Sequence, residues 1–298
     1  MKAAVRVLVF AALCVLTACG SSRPESAHAA AGSTPATQFT ASADGVRIAW
    51  RRVGQGDPAI VLIPGWAANS TIWRAQLPAL AARYSVVTLD LAGQGASGAN
   101  RQTWTLPQFA QDVASVVAKL PNAHIVLVGD GLGGPVALEA APIIGARLSG
   151  IIGVETFRTI GLAPPLPSQV EHNLQFFRTD FAGAVRRFVS GTLFRAQSDP
   201  ALVHTVADMM AQAAPDRALA TLAALNALDY ASILPAVKAP ILVIDSDLGG
   251  AVDQTRLQHA APRLRLITLS GDDSFPMLSD AQRFNATLLQ SIASLAAQ

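Results

Sequence analysis

Ile125-Val126-Leu127-Val128-Gly129-Asp130-Gly131-Leu132-Gly133-Gly134 is the stretch on which the architecture turns. Four consecutive apolar residues read as a strand buried on both faces, and the glycines behind them mark a tight turn into a helix. Such a turn can present a nucleophile on strained backbone, at the centre of a small-x-nucleophile-x-small pattern. Gly129, Gly133 and Gly134 supply the small residues, so the centre falls on Gly131. Glycine has no atom with which to attack. An alternative register centres Asp130, but it leaves Val128 and Leu132 where small residues are required, and Leu132 then crowds the strand–helix crossing.

Outward from this turn, apolar runs recur at Ala59–Ile63, Ser85–Leu89, Ile151–Val154, Ile241–Ile244 and Arg265–Leu269, separated by helical stretches. That alternation predicts a mostly parallel sheet with helices on its faces. Phe39–Ala43 and Val46–Val53 flank Asp44-Gly45 and predict a hairpin, which brings the sheet to eight strands. The spacing breaks between Val154 and Ile241. A Pro-rich turn at Gly161–Pro167 and helical patterns at Val170–Phe177, Phe181–Val189, Pro200–Gln212 and Asp216–Leu228 fill the gap. They predict a helical cap over residues 155–235, inserted after the sixth strand, within a domain spanning 39–298.

The chain is 51% hydrophobic and 14% charged, and part of that excess lies at the front. Lys2 and Arg6 precede the apolar run Val7–Val15, which is far short of the about 20 residues that cross a bilayer. Residues 1–18 therefore read as a signal peptide. Leu16-Thr17-Ala18-Cys19-Gly20 resembles the lipobox of bacterial lipoproteins, which implies lipidation of Cys19 and anchoring to a membrane of the cell envelope. An ordinary secretory signal is the alternative. Residues 19–38, rich in Ser, Ala, Pro and Thr, read as a flexible tether. Losing Lys2 and Arg6 lowers the formal charge from +2 to 0, and no basic stripe marks a nucleic-acid partner. Losing Cys14 as well leaves no thiol pair for a disulfide or a metal–thiolate site, and neither metal nor cofactor is expected.

Five segments in order resemble the α/β-hydrolase family from Phe39 to the C-terminus. Leu62-Ile63-Pro64-Gly65-Trp66 is similar to its His-Gly-x turn, with Pro64 in place of His, and Asp90-Leu91-Ala92-Gly93-Gln94-Gly95-Ala96-Ser97 to its Asp-x-x-Gly-x-Gly-x-Ser loop. Gly129–Gly134 resembles the nucleophile turn, Pro240–Ile244 the strand before the catalytic acid, and Gly271–Pro276 the turn that presents the catalytic histidine. The resemblance implies the α/β-hydrolase fold, and it places the nucleophile at Gly131, the base at Ser274 and the acid at Gly249. A two-residue shift puts Asp247 at the acid position, and Glu155 matches a second location for it. Trp66 and Leu132 would supply the backbone N–H groups that hold a carbonyl oxygen.

A serine hydroxyl cannot serve as the proton acceptor, so two triad positions are degenerate together. The expectation is a non-catalytic scaffold that binds a small apolar or ester-like ligand, or docks a protein, with Trp66, Gly131, Leu132 and Ser274 at the ligand. The alternative is an active ester hydrolase or a lyase with relocated groups drawn from Asp130, Glu155, Asp247, Asp272 or His172. Leu166, Phe176, Phe177, Phe181 and Phe194 of the cap fit an apolar lining and ordinary helix packing equally well.

Overall fold

The structure, a computed structural model, describes residues 36–296. The leader, Cys19 and all but the last residues of the tether lie outside the described residues. Eight strands form one sheet: β1 (Gln38–Ala41), β2 (Arg47–Val53), β3 (Ala59–Ile63), β4 (Ser85–Leu89), β5 (Ile125–Asp130), β6 (Leu148–Val154), β7 (Ile241–Ser246) and β8 (Leu264–Leu269). Their order is β1-β2-β4-β3-β5-β6-β7-β8. β2 pairs antiparallel with β1 and β4, and every later pairing is parallel. Every residue of β3, β4, β5 and β7 is buried, which is why these strands read as unbroken apolar runs.

Helices α1 (Leu77–Ala81), α2 (Leu106–Val117) and α3 (Gly133–Ile144) precede the cap. The cap is inserted between β6 and β7 and holds α4 (Pro167–Arg178), α5 (Phe181–Phe188), α6 (Pro200–Ala211), α7 (Pro215–Asn226) and α8 (Tyr230–Ile233). After it come α9 (Gln254–Ala260), α10 (Pro276–Ser279) and α11 (Ala281–Ala296). Regular helix in the cap begins twelve residues later than the expected boundary at 155. Glu155 and Phe157 take left-handed φ of 49° and 68°, and Pro164 and Pro165 follow, so Glu155–Leu166 runs as a loop. β5 in turn runs two residues past Val128, pairing Asp130 with Val154.

The crossing of β5 and α3 is held by missing side chains. A Cβ on Gly129 would stand 2.2 Å from the carbonyl carbon of Gly133, and one on Gly133 would stand 2.6 Å from the Ile63 carbonyl oxygen. Between them Gly131 takes φ +45° and forms the apex of the turn. Asp130 is the last residue of the strand, so the register centred on Asp130 does not form.

Trp66, in the turn after β3, fastens the cap to this frame. Its indole N–H donates to the Ala218 carbonyl of α7 at 2.8 Å. Its ring meets Phe177 of α4 and Phe181 and Phe188 of α5 edge-on, with centroids 5.4, 6.2 and 6.5 Å away.

Gly129→Ala tests the crossing. The added methyl has only backbone to push against, so the variant should lose about 1–3 kcal/mol in denaturant unfolding. An unchanged midpoint would show that the crossing can open at no cost.

Candidate functional site

The apex opens into a cavity of about 550 Å³ between the carboxyl ends of the strands and the cap. Gly65, Trp66, Asp130, Gly131, Leu132, Glu155, Arg158, Gly249 and Ser274 border it from the sheet side, and Phe188, Leu193, Met210, Leu222 and Leu225 from the cap. A Cβ on Gly131 would meet no atom within 4 Å. Glycine therefore suits this position because of its φ, not for want of room. The N–H groups of Trp66 and Leu132 meet no acceptor among the described residues and flank the apex on the cavity. Two amides so placed can hold a carbonyl oxygen.

Ser274 stands in the loop after β8, where its N–H donates to the Leu193 carbonyl of the cap at 3.0 Å. That bond draws the cap down onto the loop and leaves the hydroxyl on the cavity. No imidazole among the described residues borders the cavity. His124 pairs with Asp57 at the surface, and His172, His204 and His259 are exposed on α4, α6 and α9. His172, one of the groups on which the relocated-site alternative draws, lies exposed on α4 and does not border the cavity.

At Gly249, where the resemblance places the acid, another residue fills the space. A Cβ on Gly249 would stand 2.8 Å from the guanidinium of Arg158. Arg158 reaches there from the loop after β6. It donates to the carbonyls of Ser246 at 2.6 Å and Gly250 at 3.1 Å, and it pairs with Asp245 at 3.2 Å. Asp247 is exposed and outside the cavity. It accepts the Gly271 N–H at 2.9 Å and pairs with Arg195 of the cap, and these partners, Gly271 foremost, hold its carboxyl below the usual range. It ties three loops together. Asp272 also lies off the cavity, with burial raising its carboxyl and Arg283 opposing at 3.5 Å.

Three carboxyls gather where β5, β6 and β7 end. Glu155 borders the cavity and accepts the Ser246 N–H. Asp245 accepts the Thr156 N–H at 3.2 Å; burial first and then the charge of Glu155 push it up to about 7, with Arg158 opposing. Asp130 is 5% exposed, and no donor reaches its carboxyl. Burial, followed by the charge of Glu155, raises it well above the ordinary carboxylate range. Sequence reading missed Arg158 and Asp245. An Asp directly after the apolar run Ile241–Ile244 was the available signal for Asp245, whereas Arg158 sits in an aperiodic loop that carried none.

No group of three or more His, Cys, Asp or Glu among the described residues is placed to hold a metal ion. No single helix among them is long and apolar enough to cross a membrane.

The chain matches the Alpha/beta hydrolase family over residues 60–287 and belongs to that family. It is 30% identical over 253 residues to a pimeloyl-[acyl-carrier protein] methyl ester esterase of Edwardsiella ictaluri, covering 81% of this chain and 95% of that protein. The like-named protein of Aeromonas hydrophila is 30% identical over 250 residues, covering 78% and 94%. In fold the chain is similar to a thermophilic esterase from Thermogutta terrifontis, with a TM-score of 0.76 at 21% identity, covering 88% of this chain and 99% of that one. It is likewise similar to a bromoperoxidase from Bacillus anthracis, with a TM-score of 0.76 at 20% identity, covering 87% and 100%.

Asp130 and Asp245 bind protons more tightly in the fold than in the unfolded chain, where a carboxyl titrates near 3.8. Their stabilising contribution is complete below about pH 4 and is lost as the pH rises through the folded values, near 7 for Asp245. Asp130→Asn cannot ionise. Its melting temperature should match the parent at about pH 4 and exceed it increasingly toward about pH 8. A difference that stays constant with pH would show that Asp130 titrates normally.

Proposed function

We propose that this chain binds a carboxylic ester in the cavity beneath the cap and hydrolyses it by direct attack of water, with no acyl-enzyme. The observation that carries the reading is the pair of unengaged N–H groups of Trp66 and Leu132, set beside Gly131 on an otherwise largely apolar cavity. Donors in this arrangement strengthen as charge develops on a carbonyl oxygen. Phe188, Leu193, Met210, Leu222 and Leu225 offer the acyl chain an apolar bed. The relatives named as methyl ester esterases support an ester as the substrate class and favour turnover over silent binding.

Gly131 cannot form a covalent intermediate, so water is the nucleophile. Glu155 is the carboxylate on the cavity able to take its proton. Water oxygen bonds to the carbonyl carbon, the proton passes to Glu155, and the bond to the alcohol oxygen breaks as that oxygen receives the proton back. The acid and the alcohol leave.

A second reading, a non-catalytic binder of an ester-like ligand or of a protein at the cap, is favoured by one structural observation. The family resemblance puts nucleophile, base and acid at Gly131, Ser274 and Gly249, and Arg158 stands in the space that a side chain at Gly249 would need. In either reading we place the domain at the cell envelope, tethered through a lipidated Cys19, on the strength of the lipobox-like Leu16–Gly20.

Purified protein assayed with short- and medium-chain p-nitrophenyl esters should turn over and should resist a fluorophosphonate, which needs an activated serine. Leu132→Pro removes one amide where φ is already −55°, close to what proline requires. It should lower kcat about 100- to 1000-fold. Absence of turnover in the parent would leave the binder reading standing. Activity abolished by the fluorophosphonate would trace the turnover to a serine enzyme and reject the water mechanism.

A further inference from the structure

The hydrolytic reading leaves Asp130 without a task, although Asp130 is the buried group nearest in sequence to the apex. Its side chain borders the cavity, the residue is 5% exposed, and no hydrogen-bond donor reaches it. One carboxyl oxygen lies 2.4 Å from where a Cβ on Gly65 would stand, so the carboxyl is packed under the turn that carries the Trp66 amide. Gly131 and Leu132 follow it directly in the chain. The carboxyl is thus bracketed by the two elements that supply the carbonyl-holding amides.

A buried carboxylate with no donor is disfavoured, and such a group keeps its proton instead. The protonated form owns one O–H donor. The charged groups that share the cavity lining with it are Glu155 at the end of β6 and Arg158 in the loop that follows. Asp245 at the end of β7 lies behind them, coupled to Glu155 and Arg158. The turn after β3, the start of α3 and the cap residues on the cavity bring no charge, and the loop after β8 brings only the Ser274 hydroxyl. Glu155 is therefore the group that opposes ionisation of Asp130.

We infer that Asp130, as a carboxylic acid, is a third donor to the ligand's carbonyl oxygen, beside the Trp66 and Leu132 amides, and that the pocket accordingly selects neutral carbonyl compounds over carboxylates. This rests on the ester reading above and adds to it a reason for product release. An ester arrives neutral and accepts the Asp130 proton in a hydrogen bond. The acid formed from it gives its remaining proton to solvent, and the resulting carboxylate is repelled by the charge of Glu155 and leaves.

The test uses methyl octyl ketone, which has an ester-like carbonyl and cannot be hydrolysed, isotopically labelled at its carbonyl carbon. Bound to the parent protein at about pH 5, its carbonyl resonance should move downfield, as it does on accepting strong hydrogen bonds. Raising the pH stepwise from there should reverse part of that shift and weaken binding about tenfold once Asp130 ionises and one donor is lost. Asp130→Asn, which keeps an N–H donor, should hold the ketone with a smaller shift that no longer depends on pH. Asp130→Leu should lose the Asp130 share of the shift at every pH. A parent shift that is independent of pH and survives in both variants would overturn the role of Asp130 and leave the ester reading intact. No binding of the ketone to the parent, together with no ester turnover, would overturn both. Preference for octylammonium over the ketone would mean that the carboxyl works ionised, and would also overturn the inference.

Discussion

The site depends on backbone meeting backbone where β5 passes α3. A Cβ on Gly129 would strike the Gly133 backbone and one on Gly133 the carbonyls of Ile63 and Pro64, and between the two glycines Gly131 takes the left-handed φ of the apex. Everything on the cavity floor follows from that turn. It follows the end of the strand at Asp130, leaves the Leu132 N–H without a protein acceptor, and shares the cavity with the Gly65–Trp66 turn. A crossing built on missing side chains is sterically exact, yet it carries no chemistry of its own. Backbone amides held by such a crossing depend on no reacting side chain.

Trp66 links this floor to the cap. One residue contributes an amide to the cavity, an indole N–H to Ala218 and a ring to three phenylalanines of α4 and α5. Movement of the cap therefore acts directly on the turn that would hold a carbonyl oxygen. The Ser274 N–H to Leu193 bond and the Asp247–Arg195 pair fasten the cap at its other side. Both contacts come from the loops that follow β7 and β8, so the cap is tied to the same strand ends that form the cavity floor.

Most of the fold was legible in sequence because its signals are local. Continuous apolar runs gave the parallel strands within two or three residues at their ends, and the interval from Val154 to Ile241 gave the cap. The glycine spacing at 129, 131 and 133 gave the apex. The site was legible where it depends on backbone, at Trp66, Gly131 and Leu132, and where a residue type is simply missing, at Ser274. It was illegible where side chains arrive from loops whose path is set by tertiary contacts. Glu155 matched a second location for the acid; it accepts the Ser246 N–H, takes a left-handed φ and borders the cavity. Arg158, four residues past the end of β6, crosses to the β7 loop and fills the acid's space, a reach that no periodicity encodes.

The three carboxyls at the strand ends bear most directly on whether this scaffold is inert. Two of them, Asp130 and Asp245, are held at raised affinity for protons by burial and by the charge of Glu155, which weakens the fold as the pH rises. Arg158 offsets this for Asp245 but has no contact with Asp130. A purely structural site has a simple remedy, since asparagine fits the same volume with no titrating proton. The same crossing that excludes a Cβ at Gly129 and Gly133 does not require an acid at position 130. Retaining one there, unpaired and beside two open amides, is a cost in stability that packing leaves unexplained and that a ligand oxygen accepting its proton would offset.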